Sequence, residues 1–184
     1  LRCSISRAYR TPSFIEERAR LSLPAPQFRP PYIGQEGDDD LKPERMIAYE
    51  LGYRGLFFDN RLTANLELFY HNINNIIVYR EAEPNIYRYR NFTTNHVRGA
   101  EASLLWQVAP WWRLSLAYTY QKATDDYLKG LVIKHKFSVG SRFFLPAGFT
   151  ANVQVYYVDD FHFEDEAWVP RSMVKDYTRC DVRI

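Results

Sequence analysis

A two-residue rhythm limits most severely what this chain can become. Between residues 112 and 121, Trp112, Leu114, Leu116, Tyr118 and Tyr120 alternate with Arg113, Ser115, Ala117, Thr119 and Gln121. Successive side chains of a strand leave opposite sides of the pleat, so such a segment has one apolar and one polar face. Seven further segments keep the same period, around Leu1–Ser6, Ile47–Arg54, Leu62–His71, Gly99–Gln107, Lys136–Phe143, Phe149–Tyr157 and Arg179–Ile184. Helical signals are confined to SFIEERARL, where Ser13 suits the cap of a short loop helix. The pattern predicts an all-β fold of about eight antiparallel, up-and-down strands.

Period alone leaves open whether the apolar face meets a protein core or lipid, and the connections bear on the choice. Three are short: DNR at 59–61, VAPW at 108–111 and LPAG at 145–148. They alternate with long ones near 11–45, 72–95, 122–134 and 159–174, which places short turns on one rim and long loops on the other, as in transmembrane barrels with short periplasmic turns. Aromatic residues flank each short turn: Phe57 and Phe58, then Trp106, Trp111 and Trp112, then Phe143, Phe144 and Phe149. Tyr70, Tyr118, Tyr120 and Tyr157 stand toward the other rim. Two such belts suit the two interfaces of a bilayer, where an apolar ring with a polar tip is at home. The polar face carries Glu50, Arg54, Glu67, Glu101, Arg113, Lys136, Arg142, Arg179 and Asp181, expected to line a wet lumen and to pair across strands. A soluble lipocalin-like binding barrel and a small passive outer-membrane barrel share the alternation; girdle and loop asymmetry favour a transmembrane β-barrel segment.

Composition narrows the field further. Aromatics make up 16% of residues although the mean hydropathy is −0.42, a combination that fits strands facing two solvents. No run of about 20 apolar residues exists to form a transmembrane helix. With a net charge of +2 and cations spread among acids, nothing points to nucleic acid as a partner. Cys3 and Cys180 suggest neither a disulfide framework nor a metal motif. His71, His96, His135 and His162 lack metal-ligand spacing, and the acidic stretch 164–166 beside His162 reads as loop. GDDD at Gly37–Asp40 lacks the spaced oxygens of a dedicated calcium loop. Without a nucleophile elbow, phosphate loop or zinc-protease signature, the sequence calls for no catalytic residue and no cofactor.

The stretch most suited to binding is VYREAEPNIYRYRNF. Alternation puts Arg88 and Arg90 on one face and Tyr87 and Tyr89 on the other, so with Arg80 the cations can meet an anionic chelate at an external mouth while the rings pack or stack. Solvated arginines on a twisted hairpin, or contact with lipopolysaccharide, use the same residues.

SRAYRTPSF (Ser6–Phe14), LKPERMIAYELGYRG (Leu41–Gly55), NRLTANLELFYHNINNII, NFTTNHVRGAEASLLWQ and WWRLSLAYTYQ follow in order a pattern that resembles the barrel of TonB-dependent outer-membrane receptors. The resemblance spans nearly all of residues 1–184. It implies part of a 22-stranded barrel in the bacterial outer membrane, importing a scarce metal complex, above all a ferric siderophore, with energy from the TonB complex acting through an N-terminal plug. It also implies that Arg10 and Pro12 open an external loop, that Glu44 precedes a strand, that Glu50 and Gly52 face the lumen, and that Gly99 and Glu101 begin a strand after a long loop. The plug and energy-coupling box lie outside these residues, and Leu1 already stands within a strand pattern. Ile184 is not the terminal aromatic of the family. The sequence therefore reads as a piece with about eight of the 22 strands, not competent alone for energised uptake.

Overall fold

The computed structural model describes residues 1–27, 32–92, 94–124, 130, 132–163 and 172–184. In chain order its elements are β1 (Arg2–Arg10), α1 (Phe14–Arg18), β2 (Arg20–Pro24), β3 (Tyr32–Glu36), β4 (Glu44–Phe57), β5 (Leu62–Asn74), β6 (Ile77–Glu83) and β7 (Ile86–Asn91). There follow β8 (Asn95–Ala109), β9 (Trp112–Ala123), β10 (His135–Phe144), β11 (Thr150–Val158), β12 (Phe161–Phe163), β13 (Ser172–Val174) and β14 (Tyr177–Arg183). Eight form one antiparallel sheet in the order β1-β4-β5-β8-β9-β10-β11-β14. These are the eight segments that the two-residue period marks.

Register turns each strand's alternation into a continuous face. One apolar row crosses the sheet through Ala64, Leu104, Leu116, Val139 and Val155. The next is Tyr53, Leu66, Ala102, Tyr118, Phe137 and Tyr157. These side chains remain open: Leu66 is 44% and Phe137 42% exposed, and no large side chain among the described residues is fully buried. An apolar face this wide without covering protein is the inverse of a soluble barrel, whose apolar side chains would fill the interior. The opposite face carries the expected lumen residues.

Short turns and long connections segregate as the sequence predicts. Phe58, Asp59 and Asn60 all take left-handed backbone angles in the β4–β5 turn, which Arg61 closes by donating its N–H to the Phe58 carbonyl (3.1 Å). Pro146–Gly148 form a short 3-10 turn between β10 and β11. At this rim Trp111, Trp112 and Phe143 stack with centroids 6.1–6.3 Å apart, and Trp112 Nε1 donates to Ser141 Oγ (2.8 Å).

One expectation needs correction and one alternative is set aside. Three of the four long connections are not plain loops: β2, β3, β7 and β6 form a second sheet in that order, and β12 pairs with β13. Among the described residues no ladder joins β1 to β14, so the eight-stranded sheet has two open edges and does not close as a small barrel.

Candidate functional site

The long-loop rim gathers the residues with most chemistry. The β1–β4 and β5–β8 connections interlock there, because β3 runs parallel to β7 with Gly34, Gln35 and Glu36 beside Ile86, Tyr87 and Arg88. Asn85 takes the left-handed turn position between β6 and β7, and its carbonyl accepts from the Gly34 N–H (2.8 Å). Asn91 fastens this unit to the barrel rim: its Oδ1 accepts from Lys42 N–H (2.7 Å), and its Nδ2 donates to the Lys42 and Asn75 carbonyls (both 2.8 Å).

The hairpin sorts the candidate binding residues as alternation predicts. Arg80 stands opposite Arg88 and Val78 opposite Arg90, while Tyr79 stands opposite Tyr89. Tyr79 also meets Tyr87 and Tyr89 at centroid distances of 5.5 and 4.7 Å, making a three-ring platform. The arginines differ in surroundings. Arg88 Nε donates to Glu36 Oε2 (2.5 Å) and its guanidinium also meets Glu83 (3.5 Å), the Glu36 hydrogen bond raising its pKa. Arg80 lies over the Phe92 ring at 4.5 Å, and Arg90 is exposed. Burial, then the nearby Glu16 charge, pushes the Tyr89 hydroxyl up.

A second group fixes the first connection to the rim. Arg10 Nε and Nη2 donate to the two Glu44 oxygens (2.7 and 2.8 Å), and Nη1 donates to both oxygens of Glu16 (2.9 and 3.0 Å). Glu16 also accepts from the Ser13 N–H (2.6 Å) while Ser13 Oγ accepts from Glu16 N–H, the reciprocal capping box of α1. Glu44 Oε1 takes the N–H of Ile77, the first residue of β6. Burial pushes both carboxyls up, but the Arg10 and backbone hydrogen bonds outweigh it and leave them below the ordinary carboxylate range. Those hydrogen bonds, Glu44's foremost, raise Arg10. Period and composition do not show that Arg10, Glu16 and Glu44 converge.

On the polar face, Arg2 Nη2 meets Glu67 (3.3 Å) and Glu50 (3.8 Å), and Arg179 meets Asp181. The expected alternation of sign does not extend across the ladders, since register sets Glu67 opposite Glu101 and Arg142 opposite Arg113. Like charges directly opposite are tolerable only where water screens them, which a wet face supplies. Arg113, Arg142, Arg179 and Arg183 border a polar hollow of about 840 Å³. In GDDD, Asp39 meets Arg18 (3.0 Å) and Asp38 accepts from the Asp40 N–H (2.9 Å). The acidic stretch at 164–166 lies outside the described residues.

The sequence matches the family of TonB dependent receptor-like β-barrels over residues 1–184. A ferric-pyoverdine BN7/BN8 receptor of Pseudomonas putida is 28% identical over 94 residues, which is 51% of this chain and 11% of the receptor. The fold is similar to the siderophore receptor PirA of Acinetobacter baumannii, with a TM-score of 0.72 at 19% identity, covering 98% of this chain and 31% of that one. It is also similar to a variant of the ferric enterobactin receptor PfeA of Pseudomonas aeruginosa, with a TM-score of 0.72 at 16% identity over 98% of this chain and 29% of that receptor. The chain thus spans about a tenth of the curated relative and about three tenths of the solved receptors. With an uncovered apolar face, aromatic residues at both rims and a match along its whole length, the chain belongs to the TonB-dependent receptor β-barrel family, proteins of the bacterial outer membrane.

Proposed function

We propose that the chain forms part of the wall of an outer-membrane transporter that imports a ferric siderophore, with energy delivered by the TonB complex through a plug elsewhere in the receptor. The match to the barrel family along residues 1–184 carries this reading, and the aligned stretch of a ferric-pyoverdine receptor favours a siderophore over other cargo. In it the apolar face meets hydrocarbon, with Phe57, Trp106, Trp111, Trp112, Phe143 and Phe149 as the inner girdle. Glu50, Arg54, Glu67, Glu101, Arg113 and Arg142 line the wet lumen. The β6–β7 hairpin stands at the external mouth, where Arg80, Arg88 and Arg90 attract an anionic chelate and Tyr87 and Tyr89 give it a surface to pack against. The protein's part is recognition and passage, with no bond made or broken.

The test is radioiron uptake by cells with and without the complete receptor, supplied separately with ferric pyoverdine, ferric enterobactin and a hydroxamate chelate. Loss of uptake for one of them on deletion is the expected result. Unchanged uptake of all three, in cells without a second receptor for them, would overturn the siderophore reading.

A further inference from the structure

The second sheet brings three arginines and one glutamate into a single row. Arg20 of β2 stands opposite Glu36 of β3, Glu36 opposite Arg88 of β7, and Arg88 opposite Arg80 of β6. Residues directly opposite in a ladder share a face, so one side of the sheet reads cation, anion, cation, cation at this level. Glu36 is therefore flanked by a cation on each neighbouring strand.

It engages one of the two. Arg88 Nε donates to Glu36 Oε2 (2.5 Å), whereas Arg20 is exposed and joins no ion pair among the described residues, where the paired arginines are Arg2, Arg10, Arg18, Arg88 and Arg179. Ladders on both sides pin the Glu36 backbone, so its carboxylate changes partner by side-chain rotation alone. The Glu36 side chain is 38% exposed, and at such a surface a pair with either arginine is worth little, which keeps the two arrangements close in energy. Arg88 and Arg80, like charges directly opposite, need an anion beside them, and Glu36 with the more distant Glu83 (3.5 Å) now supplies it.

We propose that Glu36 is an exchangeable occupant of an anion site on this sheet: an anionic oxygen group of the incoming chelate takes its place on Arg88 and Arg80, and the Glu36 carboxylate crosses to Arg20. Glu36 thereby sets how strong an anion the mouth accepts, since a ligand group must outcompete a carboxylate already in place. Arg20 lowers that threshold by receiving the displaced charge. The inference rests on the reading of the β6–β7 hairpin as the ligand mouth and adds to it a built-in competitor.

The test is a double-mutant cycle on the complete receptor at low salt, run once with ferric pyoverdine and ferric enterobactin by titration calorimetry and once with inorganic phosphate by phosphorus NMR. An exposed ion pair is worth about threefold, so Glu36→Gln tightens binding by about threefold and Arg20→Gln weakens it by about threefold. With Gln already at position 36, Arg20→Gln has little further effect, because no displaced carboxylate needs a partner; this coupling separates the exchange from a general loss of positive charge. Both effects fade at high salt. A gain in affinity cannot come from a misfolded loop. Weaker binding of both probes by Glu36→Gln would overturn the proposal and make Glu36 a support that positions Arg88. An Arg20→Gln effect of the same size with and without Glu36 would overturn it too. Phosphate that follows the cycle while neither chelate binds would sink the cargo reading and leave the exchange standing, so the two failures are distinguishable.

Discussion

Gly99 stands directly across from Phe69 on the polar face, and a Cβ there would come within 2.5 Å of the Phe69 ring and closer still to the Tyr120 carbonyl. A ring can turn aside but a ladder carbonyl cannot, so Gly99→Val should destabilise the barrel by about 1–3 kcal/mol. Heat-modified migration of the folded receptor on gels would show this as a lowered transition temperature. The Arg10, Glu16 and Glu44 group has a pH signature. Carboxyls held below their ordinary range contribute stability that is complete above that range and is lost as pH falls through their folded values. Amide exchange in residues 11–27 should therefore stay slow at neutral pH and accelerate under acid, and Glu44→Gln should bring the faster exchange to neutral pH. Ser13 was legible as a cap because its signal is local. The convergence of Arg10 with Glu44, 34 residues away, was not, since a two-residue period says nothing about which loop ends meet.

At the scale of elements, the eight wall strands were legible because each must offer lipid one face and water the other, which writes a strict alternation. β2, β3, β12 and β13 face no such demand. They are three to five residues long, and tertiary pairing decides them. The Pro84-Asn85 turn is the one local mark of the β6–β7 hairpin, with Asn85 in the left-handed position it suits. Binding at the mouth is tested on this hairpin. Replacing Arg80, Arg88 and Arg90 by Gln in the complete receptor should weaken ferric-siderophore affinity most at low salt, where exposed charges are least screened. Arg90, exposed, should account for more of the loss than Arg88, whose charge Glu36 and Glu83 already offset. Unchanged affinity at low salt would remove the hairpin from ligand capture.

At the scale of the whole molecule, one sheet with two open edges presents continuous apolar rows on one face, with no covering protein among the described residues. Bare strand edges pair with whatever strand is offered, so the segment is expected to need its neighbours in the receptor for a closed wall. The sequence showed two faces and two rims but left the direction of the apolar face open. Register supplied the rest by aligning eight alternations into one surface. Leu116 sits near the middle of that surface, in the row of Leu104 and Val139. Leu116→Arg should cost about 2–4 kcal/mol of folding stability, as for a charge at the bilayer midplane.

The most direct measurement places a spin label at position 116 of the complete receptor in lipid bilayers, with a second sample labelled at Ser115. Relaxation by lipid-dissolved oxygen should dominate at 116, and relaxation by a water-soluble nickel chelate at 115. A label at 116 that responds to the aqueous reagent and is hidden from the lipid-soluble one would contradict the account.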